Sequence, residues 1–175
     1  SLANKDKLYF GVVGDLAFFY DMNCLGNRHI GNNVRLLIVN NGKGTEFRNF
    51  YHAGSLFGEL ADKYIAAGGH YGNKSHSLVK NFAEDLGFEY LSADNKEEFL
   101  NSVDHFVNSS ISEKSIVFEV FTDNQSESDA LLSTWSLEKD RKTISQNIKS
   151  DVVNKVRSVL GERGLTMIKL IMNKK

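Results

Sequence analysis

The chain has 175 residues, of which 41% are hydrophobic and 25% charged, a composition typical of one soluble globular domain. No apolar stretch approaches the roughly 20 residues of a membrane span, and a single cysteine, Cys24, has no intrachain disulfide partner. We therefore expect a cytoplasmic protein in a reducing compartment. The net charge of −1 is unevenly distributed along the chain. Residues 141–175 contain nine basic and two acidic residues and carry +7, so residues 1–140 carry −8. The acidic body argues against nucleic acid as a partner.

Two strands are predicted first, at residues 8–13 and 34–39, because these short apolar runs are rich in β-branched and aromatic residues. The apolar residues between them predict a helix over residues 17–29. Each strand ends in polar residues: Asp15 follows the first, and Asn-Asn-Gly-Lys-Gly follows the second. Both polar ends are candidate functional positions.

Helices and strands continue to alternate as far as residue 123. Two more strands are predicted at residues 88–91 and 115–121, and a helix at residues 95–107. Two further helices are predicted by apolar side chains at helical spacing, namely Leu56, Leu60 and Tyr64, then Leu78, Phe82 and Leu86. This alternation predicts an α/β fold with a mostly parallel sheet, helices on both of its faces, and ligands at the carboxyl ends of the strands.

The last part of the chain is predicted to be helical. Residues 124–142 are expected to form a connecting helix whose packing edge contains Trp135 and its neighbouring leucines. Residues 143–175 form a basic amphipathic tail, with Ile144, Ile148, Val152, Val156, Val159, Leu160, Leu165, Ile168, Ile171 and Met172 on its apolar faces. Such a tail either lies on an anionic membrane surface at the inner face of the membrane or docks on protein, and we expect docking.

The two polar strand ends suit a magnesium site. Asp15 supplies an anionic oxygen, and Asn41, 26 residues later, supplies an amide oxygen. Mg²⁺ prefers such hard oxygens and is commonly shared with phosphates. A helix that begins just after Asp15 directs backbone N–H groups at the same place, and Gly42 and Gly44 allow a sharp turn. The residues leave an alternative open, since Asn-Gly between two runs also indicates a β-hairpin.

The two strand ends also resemble a known motif. The segments GDLAFFYDMN and VNNGKGTEF are similar to the diphosphate-binding motif of thiamine diphosphate (TPP) enzymes. The resemblance is greatest to the branch that contains the menaquinone-biosynthesis enzyme SEPHCHC synthase (MenD), and it extends over about residues 8–123. The residues that fit the pattern are Gly14, Asp15, Leu16, Tyr20, Asp21, Asn23, Asn40, Asn41, Gly44 and Phe47.

The resemblance implies a cofactor site. The side chains of Asp15 and Asn41 and the carbonyl of Lys43 would bind Mg²⁺, and two diphosphate oxygens and a water would complete its shell. The TPP-binding positions would be Gly14, Asp15, Leu16, Ala17, Asn41, Lys43, Gly44, Thr45, Glu46 and Phe47.

Three positions depart from most relatives. Leu16 and Ala17 stand where many relatives have Gly and Ser, which removes a hydroxyl contact to the diphosphate. Glu46 stands where relatives carry an apolar residue near the thiazolium. It is the one candidate catalytic residue; its carboxylate would either help to protonate substrate or turn outward, and we expect the second.

The resemblance also implies what this segment lacks. The glutamate that activates TPP belongs to a separate pyrimidine-binding domain of another subunit, and seven residues precede the first predicted strand. We therefore expect a partial TPP diphosphate-binding domain at residues 1–123, inactive alone. The parent would be a homo-oligomeric transferase or lyase, a dimer or a tetramer, that decarboxylates a 2-oxo acid and transfers the resulting carbanion to an acceptor. The alternative is a non-catalytic α/β interaction module with a basic tail.

The five histidines show no spacing typical of a metal site. All five, His29, His52, His70, His76 and His105, are expected to be surface or packing residues. His52 and His70 are expected in loops after the Asn-Asn turn, from which they could approach a cofactor or acceptor, but we do not expect either to act there.

Overall fold

A computed structural model describes residues 3–49, 52–69 and 74–138, and beyond these residues 153–155, 157, 158, 161, 162, 164 and 166. The chain divides into two compact units. Unit 1 consists of Ser1–Lys43 and Gly69–Asp123, and unit 2 consists of Gly44–Gly68 and Asn124–Lys175.

Strands and helices alternate through the described residues, as expected. The strands are β1 (Tyr9–Gly14), β2 (Val34–Asn40), β3 (Glu89–Ala93) and β4 (Ile116–Phe121). The α-helices are α1 (Asp15–Tyr20), α2 (Glu59–Tyr64), α3 (Leu78–Asp85), α4 (Lys96–Phe106) and α5 (Asn124–Glu138). Three 3₁₀ turns lie at Met22–Gly26, Thr45–Arg48 and Ala53–Phe57.

Unit 1 contains a four-stranded parallel sheet in the order β1-β2-β4-β3. The four predicted strands are thus confirmed, with ends that differ by one or two residues. The alternative hairpin after β2 is wrong, because β2 pairs in parallel with β1 and β4 and the residues that follow its turn form the 3₁₀ turn Thr45–Arg48.

Helices cover both faces of this sheet, which confirms the predicted α/β class. One core packs side chains of α1 and α3 against Ile38 and Val117, and the other packs α4 against Ile116 and Phe118. The helix α4 agrees with the predicted helix over residues 95–107 to within one residue at each end. The Asn95 side chain caps it by accepting a hydrogen bond from the Glu98 N–H at 3.0 Å.

The first helix is shorter than predicted. It begins at Asp15 and ends at Tyr20, and a 3₁₀ turn at Met22–Gly26 replaces the remainder of the predicted helix over residues 17–29. Asp21, between the two, has φ −135° and ψ 32°, which is not helical. The turn still buries Leu25, so apolar periodicity alone did not distinguish it from a continuous helix.

Unit 2 contains the 3₁₀ turns Thr45–Arg48 and Ala53–Phe57 and the helices α2 and α5. The continuous helix predicted from Leu56, Leu60 and Tyr64 is wrong. Gly58, at φ 55°, separates the second 3₁₀ turn from α2, and Leu60 and Tyr64 are exposed. An ion pair between Arg48 Nε and Asp62 Oδ1, 3.2 Å apart, joins the first 3₁₀ turn to α2.

The connecting helix predicted within residues 124–142 is present as α5, where Leu131 and Trp135 are half-buried and Leu132 is exposed. Within unit 2, Val153 is a partly buried residue at the same hydrophobic cluster as Ala53, Leu56 and Phe57. The other apolar positions predicted for the tail, listed above from Ile144 to Met172, and the predicted loop residue His70 lie outside the described residues. None of the described helices is both long enough and apolar enough to cross a membrane.

Candidate functional site

Asp15 lies at the carboxyl end of β1 and begins α1. Its side chain is fully buried, and the preceding Gly14 has extended backbone at φ −76° and ψ 157°. A Cβ added to Gly14 would meet no atom within 4 Å, so open space adjoins the backbone at this strand end. The sequence here places a buried acid beside a gap that a ligand group could enter.

The Asn-Asn turn follows β2 and is shaped by its own side chains. The Asn40 side-chain oxygen accepts a hydrogen bond from the Gly42 N–H at 3.2 Å, and that of Asn41 accepts one from the Lys43 N–H at 3.1 Å. Gly42 has φ 77°, which residues other than glycine rarely adopt. Gly44 has φ −79°, so the turn requires only the first of the two glycines that were expected to shape it.

Strand register brings these two strand ends to one edge of the sheet. Gly14 pairs with Val39, so Asp15 and Asn40 each lie one residue beyond a paired position. Since neighbouring strands are about 4.8 Å apart, the Asn-Asn turn lies beside the start of α1. This edge offers a carboxylate, an amide oxygen and backbone carbonyls, all hard oxygen donors of the kind that Mg²⁺ prefers.

The remaining predicted positions lie on either side of these residues along the chain. In α1, Leu16 is buried and Ala17 is exposed. In unit 2, Gly44 donates its N–H to the Ala66 carbonyl at 2.7 Å, and the Thr45 hydroxyl is buried with no hydrogen-bond partner among the described residues. Glu46 is exposed, and Phe47 makes an edge-on ring contact with His52, whose Nδ1 accepts a hydrogen bond from the Gly54 N–H.

A third buried polar group at this edge was missed by the sequence analysis. Glu119, in β4, is 1% exposed and accepts hydrogen bonds from the Asn40 side-chain amide at 2.6 Å and from the Tyr90 hydroxyl at 2.7 Å. Burial, with a smaller contribution from the charge of Asp15, raises the pKa of the Glu119 carboxyl above its usual value. A lone acid within the apolar run SIVFEVF is the signal that could have identified it.

The other titratable candidates do not form a site of their own. The ring of His76 lies 4.8 Å from that of Phe121 at the end of β4, and His105 pairs with Glu89 at 2.8 Å. Cys24 is exposed as a residue, but its thiol is partly shielded from water. This partial burial and the negative charge of Asp21 raise the pKa of the thiol, which disfavours a thiolate nucleophile. Among the described residues, no three His, Cys, Asp or Glu side chains could together hold a metal ion. A metal here would therefore need amide and backbone oxygens or a ligand's own oxygens.

The fold and these residues define an α/β protein whose parallel sheet carries a candidate anion and metal site at its carboxyl edge. No protein-family model matches the chain. Curated proteins do match, and all eight carry the same name, 2-succinyl-5-enolpyruvyl-6-hydroxy-3-cyclohexene-1-carboxylate synthase, that is, SEPHCHC synthase.

The similarity covers most of this chain but a small part of each relative. The chain is 36% identical over 120 residues to the Bacteroides thetaiotaomicron enzyme, a match of 69% of this chain and 20% of that protein. It is 33% identical over 129 residues to the Phocaeicola vulgatus enzyme, covering 74% and 22% respectively. The chain is thus homologous to a segment of the SEPHCHC synthases, which confirms the resemblance indicated by the motif, and it spans about a fifth of their length.

Proposed function

We propose that the carboxyl edge of the sheet binds the diphosphate of TPP through Mg²⁺, with the Asp15 and Asn41 side chains and the Lys43 carbonyl as protein ligands. The observation that carries this proposal is the register of β1 and β2, which puts Asp15 and the Asn-Asn turn on neighbouring strand ends. The donor set fits, because Mg²⁺ takes hard oxygens and keeps phosphate oxygens in its shell. The resemblance of both segments to the TPP motif supports TPP as the ligand.

Backbone groups beside Asp15 would assist the metal. The N–H groups of the first turn of α1, which include those of Leu16 and Ala17, have no intrahelical acceptor and can donate to phosphate oxygens. The open space at Gly14 leaves room for them to do so. Because α1 has only six residues, its dipole contributes little, and Mg²⁺ neutralises most of the diphosphate charge.

The parent that this segment represents would be a TPP-dependent transferase or lyase of the SEPHCHC synthase type. Bound TPP supplies the electron sink for decarboxylation of a 2-oxo acid, and the parent would transfer the product to an acceptor. The chain covers about a fifth of the relatives, which supports a division of labour in the parent. The residues of this chain would bind and orient the cofactor. Other segments of a homo-oligomer would activate the cofactor and select the substrates.

Titration calorimetry tests the cofactor site. The chain is titrated with TPP in Mg²⁺, with TPP in EDTA, and with thiamine in Mg²⁺, and we expect heat of binding only in the first case. The same titrations on the full-length parent should give tighter binding, because the pyrimidine half of TPP then also has its site. Binding that ignores Mg²⁺, or none in either protein, would contradict the proposal and favour the interaction-module alternative.

A turnover assay tests the division of labour. We expect no decarboxylation of 2-oxo acids by the 175-residue chain when it is saturated with Mg²⁺ and TPP, because the activating glutamate lies elsewhere. Steady turnover that co-purifies with the chain and is lost in Asp15→Asn would contradict this expectation. Glu46→Gln, in a parent that does turn over, should leave the rate unchanged if the exposed Glu46 carboxylate stays in solvent.

A further inference from the structure

The carboxylate of Glu119 is an unusual occupant of its strand. Ile116, Val117, Phe118 and Glu119 of β4 are all buried, and the acid alone among them is polar. Burying a carboxylate costs several kcal/mol unless hydrogen bonds compensate, and an apolar residue of similar volume is often no less stable. Stability by itself therefore gives little reason for an acid at this position.

The hydrogen bonds of Glu119 are what an apolar residue could not provide. Its two oxygens are divided between two donors, the amide of Asn40 at 2.6 Å and the hydroxyl of Tyr90 at 2.7 Å. Tyr90 remains a donor, since burial and Glu119 raise the pKa of its hydroxyl. Each partner belongs to a neighbouring strand, Asn40 to the end of β2 and Tyr90 to β3, so the acid joins three adjacent strands.

The bond to Asn40 determines which way that amide faces. With its NH₂ group on Glu119, the Asn40 side-chain oxygen is left to accept from the Gly42 N–H at 3.2 Å. An amide turned the other way would set oxygen against carboxylate and NH₂ against N–H. The Gly42 contact, the positive φ of Gly42 and the following Asn41–Lys43 contact together shape the turn.

We propose that Glu119 is a positioning residue that, through the side chain of Asn40, holds the Asn-Asn turn in the conformation that presents Asn41 and the Lys43 carbonyl to a metal ion. It touches neither of those groups in the described contacts and acts by orienting the amide between them. The ligand role of Asn41 and Lys43 rests on the proposed function, whereas the control of the turn by Glu119 does not. The two can therefore be tested separately.

A donor–acceptor swap tests the inference. Asn40→Asp places two carboxylates in contact. Asn40→Asp combined with Glu119→Gln restores one hydrogen bond in the reverse direction, from the new Gln amide to the new Asp carboxylate. The Gln oxygen can then accept from Tyr90, and the second Asp oxygen can accept from the Gly42 N–H. We measure amide hydrogen exchange of Gly42 and Lys43 from about pH 7 to 9 and compare the variants at the upper end of that range, because two buried carboxyl groups in contact can share a proton near neutral pH. Mg²⁺–TPP affinity is measured on the same samples.

We expect exchange of the Gly42 amide to speed up about tenfold in Asn40→Asp, the factor that corresponds to one lost hydrogen bond, and to recover most of that factor in the double variant. Mg²⁺–TPP affinity should fall and recover in parallel. Ser115→Ala is the matched control, because it removes two partly buried hydrogen bonds at the opposite end of β4, to the Gly31 carbonyl and from the Val34 N–H. It should lower the melting temperature without altering either readout.

The outcomes separate the two claims. A double variant that exchanges as fast as Asn40→Asp, or an Asn40→Asp chain that exchanges like the unmodified one, overturns the role of Glu119. Exchange that recovers in a chain that never binds Mg²⁺–TPP upholds the control of the turn by Glu119 and contradicts the proposed function instead.

Discussion

The two ends of the sheet in unit 1 both bury polar side chains, but the partners of those side chains differ. At the amino end, Arg35 is 1% exposed and donates to the Ser112 hydroxyl at 2.8 Å and to the carbonyls of Val34 and Ser110 at 3.1 and 3.3 Å. Among the described contacts, the Ser115 hydroxyl accepts from the Val34 N–H and donates to the Gly31 carbonyl, both at 2.8 Å. These side chains connect loops at the amino end of the sheet to the neighbouring strands by hydrogen bonds.

At the carboxyl end, the buried polar groups bond mainly to one another. Tyr90, Glu119 and Asn40 form a side-chain network across three strands, and Asp15 lies at the adjacent strand end. Bonds to loop backbone stabilise the fold, whereas a side-chain network fixes the orientation of particular atoms. The comparison predicts that variants at the amino end change stability and that variants at the carboxyl end change ligand binding.

The largest expected effect is on binding, in Asp15→Asn. The change keeps the shape of the side chain and removes the one anionic ligand of the proposed metal site. Loss of an outer partner of a metal ligand already costs about 10- to 100-fold, so the Mg²⁺–TPP affinity of the chain should fall about 100-fold. Titration calorimetry measures the affinity, and circular dichroism checks that the chain remains folded. An affinity within a factor of two of the unmodified chain would remove Asp15 from the site.

The next effect is on stability, in Arg35→Ala. Loss of several charge-assisted hydrogen bonds, and of the packing of the largest side chain that is fully buried among the described residues, should lower the free energy of unfolding by about 2 kcal/mol. Urea denaturation measures it, with Arg35→Met as a variant that keeps most of the volume. Mg²⁺–TPP affinity should not change. A stable Arg35→Ala chain with impaired binding would reverse the contrast between the two ends.

A smaller effect is expected in the pH dependence of stability. Because burial raises the pKa of Glu119 in the folded chain, the fold favours the protonated carboxyl. Its contribution to stability is present below the unfolded value of 4.5 and is lost as the pH rises through the folded pKa. Glu119→Gln has no such proton to lose. The free energy of unfolding of this variant, relative to that of the unmodified chain, should therefore rise with pH above 4.5. Urea denaturation at several pH values measures this difference, and a difference that stays flat or falls would contradict the raised pKa of Glu119.

The smallest effect is expected outside the sheet, in the basic tail. If the tail docks on protein, the chain should pellet little with anionic liposomes, and truncation after Lys142 should change this little. Apolar helix faces left in water forgo about 1.5 to 3 kcal/mol for each large side chain, and the acidic body offers cover of opposite charge. Strong pelleting that salt weakens and truncation abolishes would favour a membrane-surface tail.

Local sequence alone determined the four strands of unit 1, the position of α4 and the position of the motif. Alternation of apolar runs with helical periods predicted the strands and predicted α4 to within one residue at each end. Polar residues after β1 and β2 indicated where a ligand would bind. These signals lie within a few residues of one another in the chain, which is why they can be read without a structure.

Only the tertiary structure decided which strands pair, where helical periodicity breaks, and which residues assemble beside the motif. Parallel pairing of β2 excluded the hairpin, and non-helical backbone at Asp21 and Gly58 ended helices whose apolar spacing predicted continuation. The Tyr90–Glu119–Asn40 network joins residues 29 and 79 positions apart in the chain. Such contacts depend on strand order and register, because a carboxylate in an apolar run gains its partners only when neighbouring strands bring them to the same face.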